Sequence, residues 1–257
     1  MSVYKITFSP AGGTSAVANA LCTAWSGDGV QRIDLTKQGA DFSSRRFGKD
    51  DLCVIALPVY EGRVAPTALE RLSQMRGDNT PAVFAVVYGN RHFNDALLEL
   101  EDRLTELGFV PVAGVTANAR HSILREYGAG RPDEDDRKEL ADFSRRIKAA
   151  LDAGTAHSCP EVPGKRPYIV IQGKTAPPEF DASKCTYCGH CVDLCPVKAL
   201  DMEIHTDESR CIRCMRCVAI CPHDARFIPQ ARIDAAKERL GKYFEGRKPN
   251  RLYLENG

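Results

Sequence analysis

Residues 185–196 read CTYCGHCVDLCP, and residues 211–222 read CIRCMRCVAICP. The two stretches are one pattern written twice, 26 residues apart. Cys185, Cys188, Cys191, Cys195 and Pro196 map onto Cys211, Cys214, Cys217, Cys221 and Pro222, and Ala199 maps onto Ala225. Each half therefore predicts a loop, a short helix and a strand, related by a pseudo-two-fold.

The spacing carries the chemistry. Three cysteines at intervals of three let one tight loop wrap a cubane. The fourth stands where the chain turns away, and reaches the other cubane. Cys185, Cys188, Cys191 and Cys221 are thus expected to hold one [4Fe–4S] cluster (cluster I). Cys211, Cys214, Cys217 and Cys195 are expected to hold the other (cluster II). Pro196 and Pro222 end each loop and withhold a backbone donor. Zinc also uses C-x2-C pairs, but it joins two such pairs across a longer gap. This segment resembles the bacterial two-cluster ferredoxins, a resemblance that implies two clusters close enough for fast electron exchange. Arg210, Arg213 and Arg216 crowd the second loop, with Arg226 just beyond. Cations there would raise the potential of cluster II.

Composition supports metal over disulfides. The chain has eleven cysteines, an odd number, and no basic region leads into a long apolar run at Met1–Pro10. Thiolate ligation then points to a reducing compartment, the cytoplasm. A formal net charge of +1 excludes an obvious polyanion binder, no nucleic-acid motif is present, and no apolar run approaches a membrane span. Cys22 and Cys53 read as packing residues, whereas Cys159 lies in a linker.

Upstream, short apolar runs alternate with helical patterns. Strands are expected at Val3–Phe8, Val30–Leu35, Leu52–Leu57, Ala82–Val87 and Val110–Thr116. Helices are expected over Thr14–Ser26, Pro66–Arg76, the Phe93–Leu107 stripe and Pro132–Leu151. This alternation predicts a parallel sheet covered on both faces. Residues 153–180 form a Pro-rich linker in which Tyr168–Gln172 reads as a short strand. Residues 231–245 predict a charged amphipathic helix followed by an extended tail. The expected organisation is 1–152, linker 153–180, cysteine module 181–230, and C-terminal helix and tail 231–257.

Three loops fall at the carboxyl ends of neighbouring strands, where open α/β sheets bind ligands. Ser9, Ala11, Gly12, Gly13, Thr14 and Ser15 make a Gly-rich turn into a helix N-terminus, a phosphate site without a basic side chain. It is neither a Walker loop nor a dinucleotide fingerprint. Pro58, Val59, Tyr60, Gly62 and Arg63 form the second loop. Tyr88, Gly89, Asn90 and Arg91 form the third. Tyr60 and Tyr88 are candidates to stack on a flavin ring, with Gly62, Gly89 and Asn90 offering backbone groups to its polar edge. Arg63 and Arg91 would stabilise an anionic reduced flavin if either reached the ring. His121 and Ser122 follow the fifth strand on the same side.

These loops resemble those of flavodoxins. The whole chain resembles the EFR1 ferredoxins, flavodoxin–ferredoxin fusions of anaerobic bacteria and archaea. That resemblance implies an α/β flavodoxin-like doubly wound sheet of order 2-1-3-4-5 with FMN at the switch point, then a small α+β ferredoxin domain. Ala11 and Gly13 depart from the flavodoxin phosphate loop, where Thr and Asn are common. The expected function is electron relay between two [4Fe–4S] clusters and FMN, served by a redox partner protein such as a ferredoxin or a low-potential oxidoreductase. An FMN-dependent oxidoreductase acting on a small substrate is the alternative, and a cluster-based redox sensor the third. No residue constellation identifies catalytic groups.

Overall fold

The computed structural model describes residues 1–158, 161–171 and 175–255. Cys159 and Gln172 lie outside the described residues. Six strands form the main path of a seven-stranded sheet: β1 (Val3–Thr7), β2 (Gln31–Asp34), β3 (Leu52–Tyr60), β4 (Thr80–Tyr88), β5 (Phe109–Asn118) and β6 (Arg251–Leu254), with the short strand Arg63–Val64 paired to β3 off that path. Their order is 2-1-3-4-5-6. The first five are parallel, and β6 runs antiparallel to β5 with Leu252 opposite Val115.

A parallel strand must be covered on both faces. The run Leu52–Leu57 in β3 accordingly has no exposed residue. Helices α2 (Pro66–Leu72) and α3 (Ala96–Glu106) bury Leu72, Leu97, Leu100 and Leu104 against Ile6, Ile55 and Phe84 on one face. Helices α1 (Gly13–Leu21) and α4 (Glu134–Asp152) bury Val17, Leu21, Leu140, Phe143 and Ile147 against Val54 and Val83 on the other. Each such side chain contributes about 1.5–3 kcal/mol. A capping box between Asp133 and Asp136 opens α4.

Several boundaries differ from expectation for local reasons. α1 stops at Leu21, where Thr23 Oγ1 turns back to Ala20 O at 2.8 Å, and a 3-10 turn (Thr23–Asp28) swings Trp25 into the core. α2 stops at Leu72 rather than Arg76, because Arg76–Gly77 pairs with Arg46–Phe47. Phe93 precedes α3 instead of starting it. No strand forms over residues 168–171. There the backbone is held by side chains of the α3 edge: Ile169 N donates to Asp95 Oδ2 at 2.6 Å, and Arg166 and Tyr168 bond Asp102.

The cysteine module keeps its repeat in the backbone. Short helices α5 (His190–Asp193) and α6 (Arg216–Ile220) start 26 residues apart. Tyr187 and Arg213, Gly189 and Met215, Lys198 and Asp224 are matched pairs, all at φ between 50° and 77°. Non-glycine residues persist there only when their surroundings hold them. Glu179–Phe180 and Arg226–Phe227 pair antiparallel, and Leu200 bridges Thr206. The chain then forms α7 (Gln230–Leu240) and returns to the main sheet as β6.

Candidate functional site

Eight cysteines surround two separate cavities. One is lined by Cys185, Cys188, Cys191 and Cys221. The other is lined by Cys211, Cys214, Cys217 and Cys195. The fourth cysteine of each half thus stands in the cavity of the other half. Cys195 and Cys221 each accept a backbone N–H at 3.3 Å, from Ala199 and Ala225. A ring of thiols about a hollow suits a cubane, whose sulfurs and irons fill the centre.

The two cavities differ in surroundings. Thr186, Tyr187 and Cys188 are exposed around the first, whereas residues 211–218 beside the second are all covered or half-covered. Burial pushes the Cys214 thiol up to about 12. It also raises Cys191 and Cys217, against the pull of Arg226. Burial would raise Cys221 too, but the N–H groups of His223, Arg226 and Ala225 outweigh it and lower that thiol.

The first sheet loop leads into the N-terminus of α1. Gly12 caps α1 in the left-handed region at φ 90°, and nothing lies within 4 Å of where its Cβ would stand. No side chain caps that N-terminus from Gly12, and its first turn carries no acidic residue, so the positive end of the helix is unopposed. Ser9 accepts from Ser15 N at 2.9 Å and anchors the loop through Thr36 at 2.7 Å. Thr14 is buried and Ala11 exposed. Gly13 serves packing rather than ligand approach, since a Cβ there would stand 2.7 Å from Ala119 Cβ.

The second loop is a hairpin. Pro58, Val59 and Tyr60 continue β3, which then turns at Glu61 (φ 53°) and Gly62 (φ 86°) and pairs Tyr60 with Arg63. Two positive φ values in a row are what a type I′ turn requires. Arg63 departs from the flavin expectation. It forms a bidentate pair with Glu99 at 2.8 and 2.5 Å, donates to Ile169 O and stacks over Tyr168. Glu99 is the buried carboxylate that needs a cation, so Arg63 is directed away from the cavity.

In the third loop, Tyr88 reaches the cavity between the loops and the cysteine module, and Asn90 departs from expectation. The Tyr88 ring packs edge-on against Phe93, with centroids 5.6 Å apart, its hydroxyl bonds Asn118, and the residue lines that cavity. Asn90 turns inward. Its N–H donates to Asn118 Oδ1 at 3.0 Å, and its side-chain amide donates to Phe244 O and Gly246 O. It ties down the C-terminal segment rather than facing a ligand. Gly89 lets His121 pass, since a Cβ there would meet the imidazole at 2.7 Å.

Between the loops and the cysteine module lies a cavity of about 630 Å3. Val59, Tyr60, Gly62, Gly89, Arg91 and His121 form its sheet side. Ile212, Arg213 and Met215, from the loop of the second cysteine cavity, form part of the opposite wall. Burial, and then nearby Cys214, hold the Tyr60 phenol well above its ordinary range. Arg216 Nη1 donates to Pro10 O at 3.2 Å, joining α6 to the first sheet loop. The remaining wall is α7, through Arg232, Ala235, Ala236, Arg239 and Leu240, with Phe244 beyond it. Sequence reasoning missed this closure. The i, i+3, i+4, i+7, i+8 spacing of those five residues was the available signal. His121 belongs to the wall as well: its Nδ1 accepts from Ile123 N and Leu124 N, and its ring meets Phe244 edge-on.

Residues 178–201 and 204–227 each match the family model described as a 4Fe-4S binding domain. No curated protein sequence matches the chain. Among solved structures, the fold is similar to a rubredoxin oxygen:oxidoreductase from the anaerobe Desulfovibrio gigas, at 18% identity and TM-score 0.43, covering 60% of this chain and 37% of that one. It is also similar to oxidised flavodoxin 2 from Bacillus cereus, at 14% identity and TM-score 0.42, covering 58% and 99%. A short-chain flavodoxin associated with a non-canonical PDU bacterial microcompartment gives 15% identity and TM-score 0.41, covering 58% and 99%. The chain thus carries a 4Fe-4S binding domain match written twice, beyond a parallel sheet whose first five strands have the flavodoxin-like order 2-1-3-4-5. Among the described residues, no helix is long and apolar enough to cross a membrane.

Proposed function

We propose that the chain relays electrons between a redox partner protein and FMN through two [4Fe–4S] clusters, as the EFR1 ferredoxins it resembles would. The supporting observation is the shared cavity: Ile212, Arg213 and Met215 of the second cysteine loop face Tyr60 and Gly89 of the sheet loops. Cubanes pass single electrons and FMN takes up two, which is the chemistry the bound groups supply.

The residues divide the work. Cys185, Cys188, Cys191 and Cys221 hold cluster I beside the exposed Tyr187, where a partner protein can dock. Cys211, Cys214, Cys217 and Cys195 hold cluster II at the flavin. The Gly12 end of α1 takes the FMN phosphate, with Ser9, Thr14 and Ser15 around it. Tyr60 supplies the stacking face, and Arg91 is the sheet-loop cation that borders the ring site. α7 and Phe244 form the far wall of the site. Residues 1–152 are the flavin-binding part, 153–180 the linker and 181–230 the cluster part, with 231–257 as the closure. A ring site walled in part by the second cysteine loop favours relay over turnover of a free small substrate. Eight thiolates in one chain suit the reducing cytoplasm.

Anaerobic purification with metal and flavin analysis tests the reading. About eight irons and one FMN per chain are expected from two cubanes and one flavin site. Zinc in place of iron, or iron without flavin, would overturn it.

A further inference from the structure

One position of the internal repeat is mismatched in chemistry. Leu200 follows Ala199 in the first half, and Arg226 follows Ala225 in the second, again 26 residues apart. Leu200 is a buried apolar residue, yet Arg226 is buried more deeply still, at 3% exposure. A guanidinium in that place is costly unless its environment needs the charge.

Its partners do not account for the charge. Nη2 donates to Pro178 O at 3.1 Å and Thr206 Oγ1 at 2.9 Å, and Nη1 donates to Ile204 O at 3.4 Å. These are neutral acceptors that fix its orientation. Among the described residues, Arg226 has no carboxylate within ion-pair distance. Its Nε is buried and finds no acceptor in the protein. A buried orphan donor calls for a partner of another kind. The position supplies one: Arg226 lines both cysteine cavities, with Cys191 in the wall of the first and Cys217 in the wall of the second.

We propose that Arg226 is a positioning residue shared by the two clusters, a buried cation that raises the potential of both and donates its free Nε–H toward cluster sulfur. This rests on the two-cluster reading of the eight cysteines. Each reduction adds one electron to a cluster, and a fixed positive charge in the common wall favours that electron on either side. The first half cannot supply the same charge, because Leu200 stands there. One arginine therefore serves two sites, and it keeps their potentials high together. Arg210, Arg213 and Arg216 are less buried, so solvent and salt screen their charge more strongly.

The test is a redox titration of the anaerobic holoprotein, followed by electron paramagnetic resonance after an iron count. Arg226→Leu copies the first half of the repeat, and Arg226→Lys retains the charge. The proposal expects Arg226→Leu to keep its iron while both midpoints move negative together, with the displacement persisting at high salt. Arg226→Lys should stay near the native values. Unmoved midpoints in Arg226→Leu, or movement of one cluster alone, would overturn the proposal. So would loss of iron from both variants, which would make the residue a folding element. A native chain without iron for two clusters would instead defeat the relay reading, before Arg226 is tested.

Discussion

At the scale of residues, charge placement separates structure from function. Glu99 is nearly buried and accepts from Val64 N at 2.8 Å as well as from Arg63. Arg63 is held charged first by that hydrogen bond to Glu99. Its Arg63→Leu variant leaves a covered carboxylate without its cation. We expect a loss of about 1–2 kcal/mol in denaturant unfolding, reduced from a fully buried pair by the partial exposure of Arg63. The flavin potential should not move. A shifted potential at unchanged stability would return Arg63 to the ring site. His121 carries a pH signature. Burial lowers its pKa to about 4 from an ordinary 6.5, helped by Arg91 and opposed by Glu126. The unfolded chain therefore takes up this proton first as the pH falls. The stability present above pH 6.5 is lost between 6.5 and about 4, on the order of 3 kcal/mol in full, with about 2 of it gone by pH 5. Urea midpoints at pH 7.5 and pH 5 measure it. The gap between them should narrow in His121→Gln, and an equal gap in both proteins would refute the assignment.

Elements show what a single sequence reveals and what it conceals. The parallel strands were legible chiefly where they are apolar runs, as at Leu52–Leu57 and Ala82–Val87, and the 26-residue repeat was legible because its recurring residues are cysteines. The Glu61–Gly62 hairpin was concealed by a strand that continues past its apolar run to Tyr60. β6 was concealed for a related reason: Arg251–Leu254 gains its partners only from β5, far away in the chain. Its entry is fixed by Asn250, which accepts from Asn118 N at 2.9 Å and donates to Asp136 at 2.9 Å and Glu139 at 2.7 Å. Such contacts leave no local pattern. Ending the chain after Pro249 removes this ladder and uncovers the edge of β5. With net hydrogen bonds at about 1 kcal/mol each, we expect a loss of about 3 kcal/mol. Tm should fall by roughly 6–12 °C, and the bare edge should promote aggregation. An unchanged Tm would show that β6 adds nothing to the sheet.

The whole molecule places its cavities in sequence. An exposed cysteine cavity leads to a covered one, and the covered one meets the sheet loops across a space that α7 closes. The fold was readable because strand alternation is a local property, repeated along the chain. The closure was not, because it joins residues 59–62, 89–91, 212–215 and 232–244, and only tertiary packing brings those together. Tethering matters to the chemistry: electron transfer within one chain needs no diffusional encounter between carriers. The most direct test is flash delivery of one electron per chain to the anaerobic holoprotein, with cluster and flavin absorbance followed together. The clusters are expected to recover as the flavin is reduced, at a rate unchanged by tenfold dilution. A rate that scales with protein concentration, or flavin reduction that precedes the clusters, would contradict the relay.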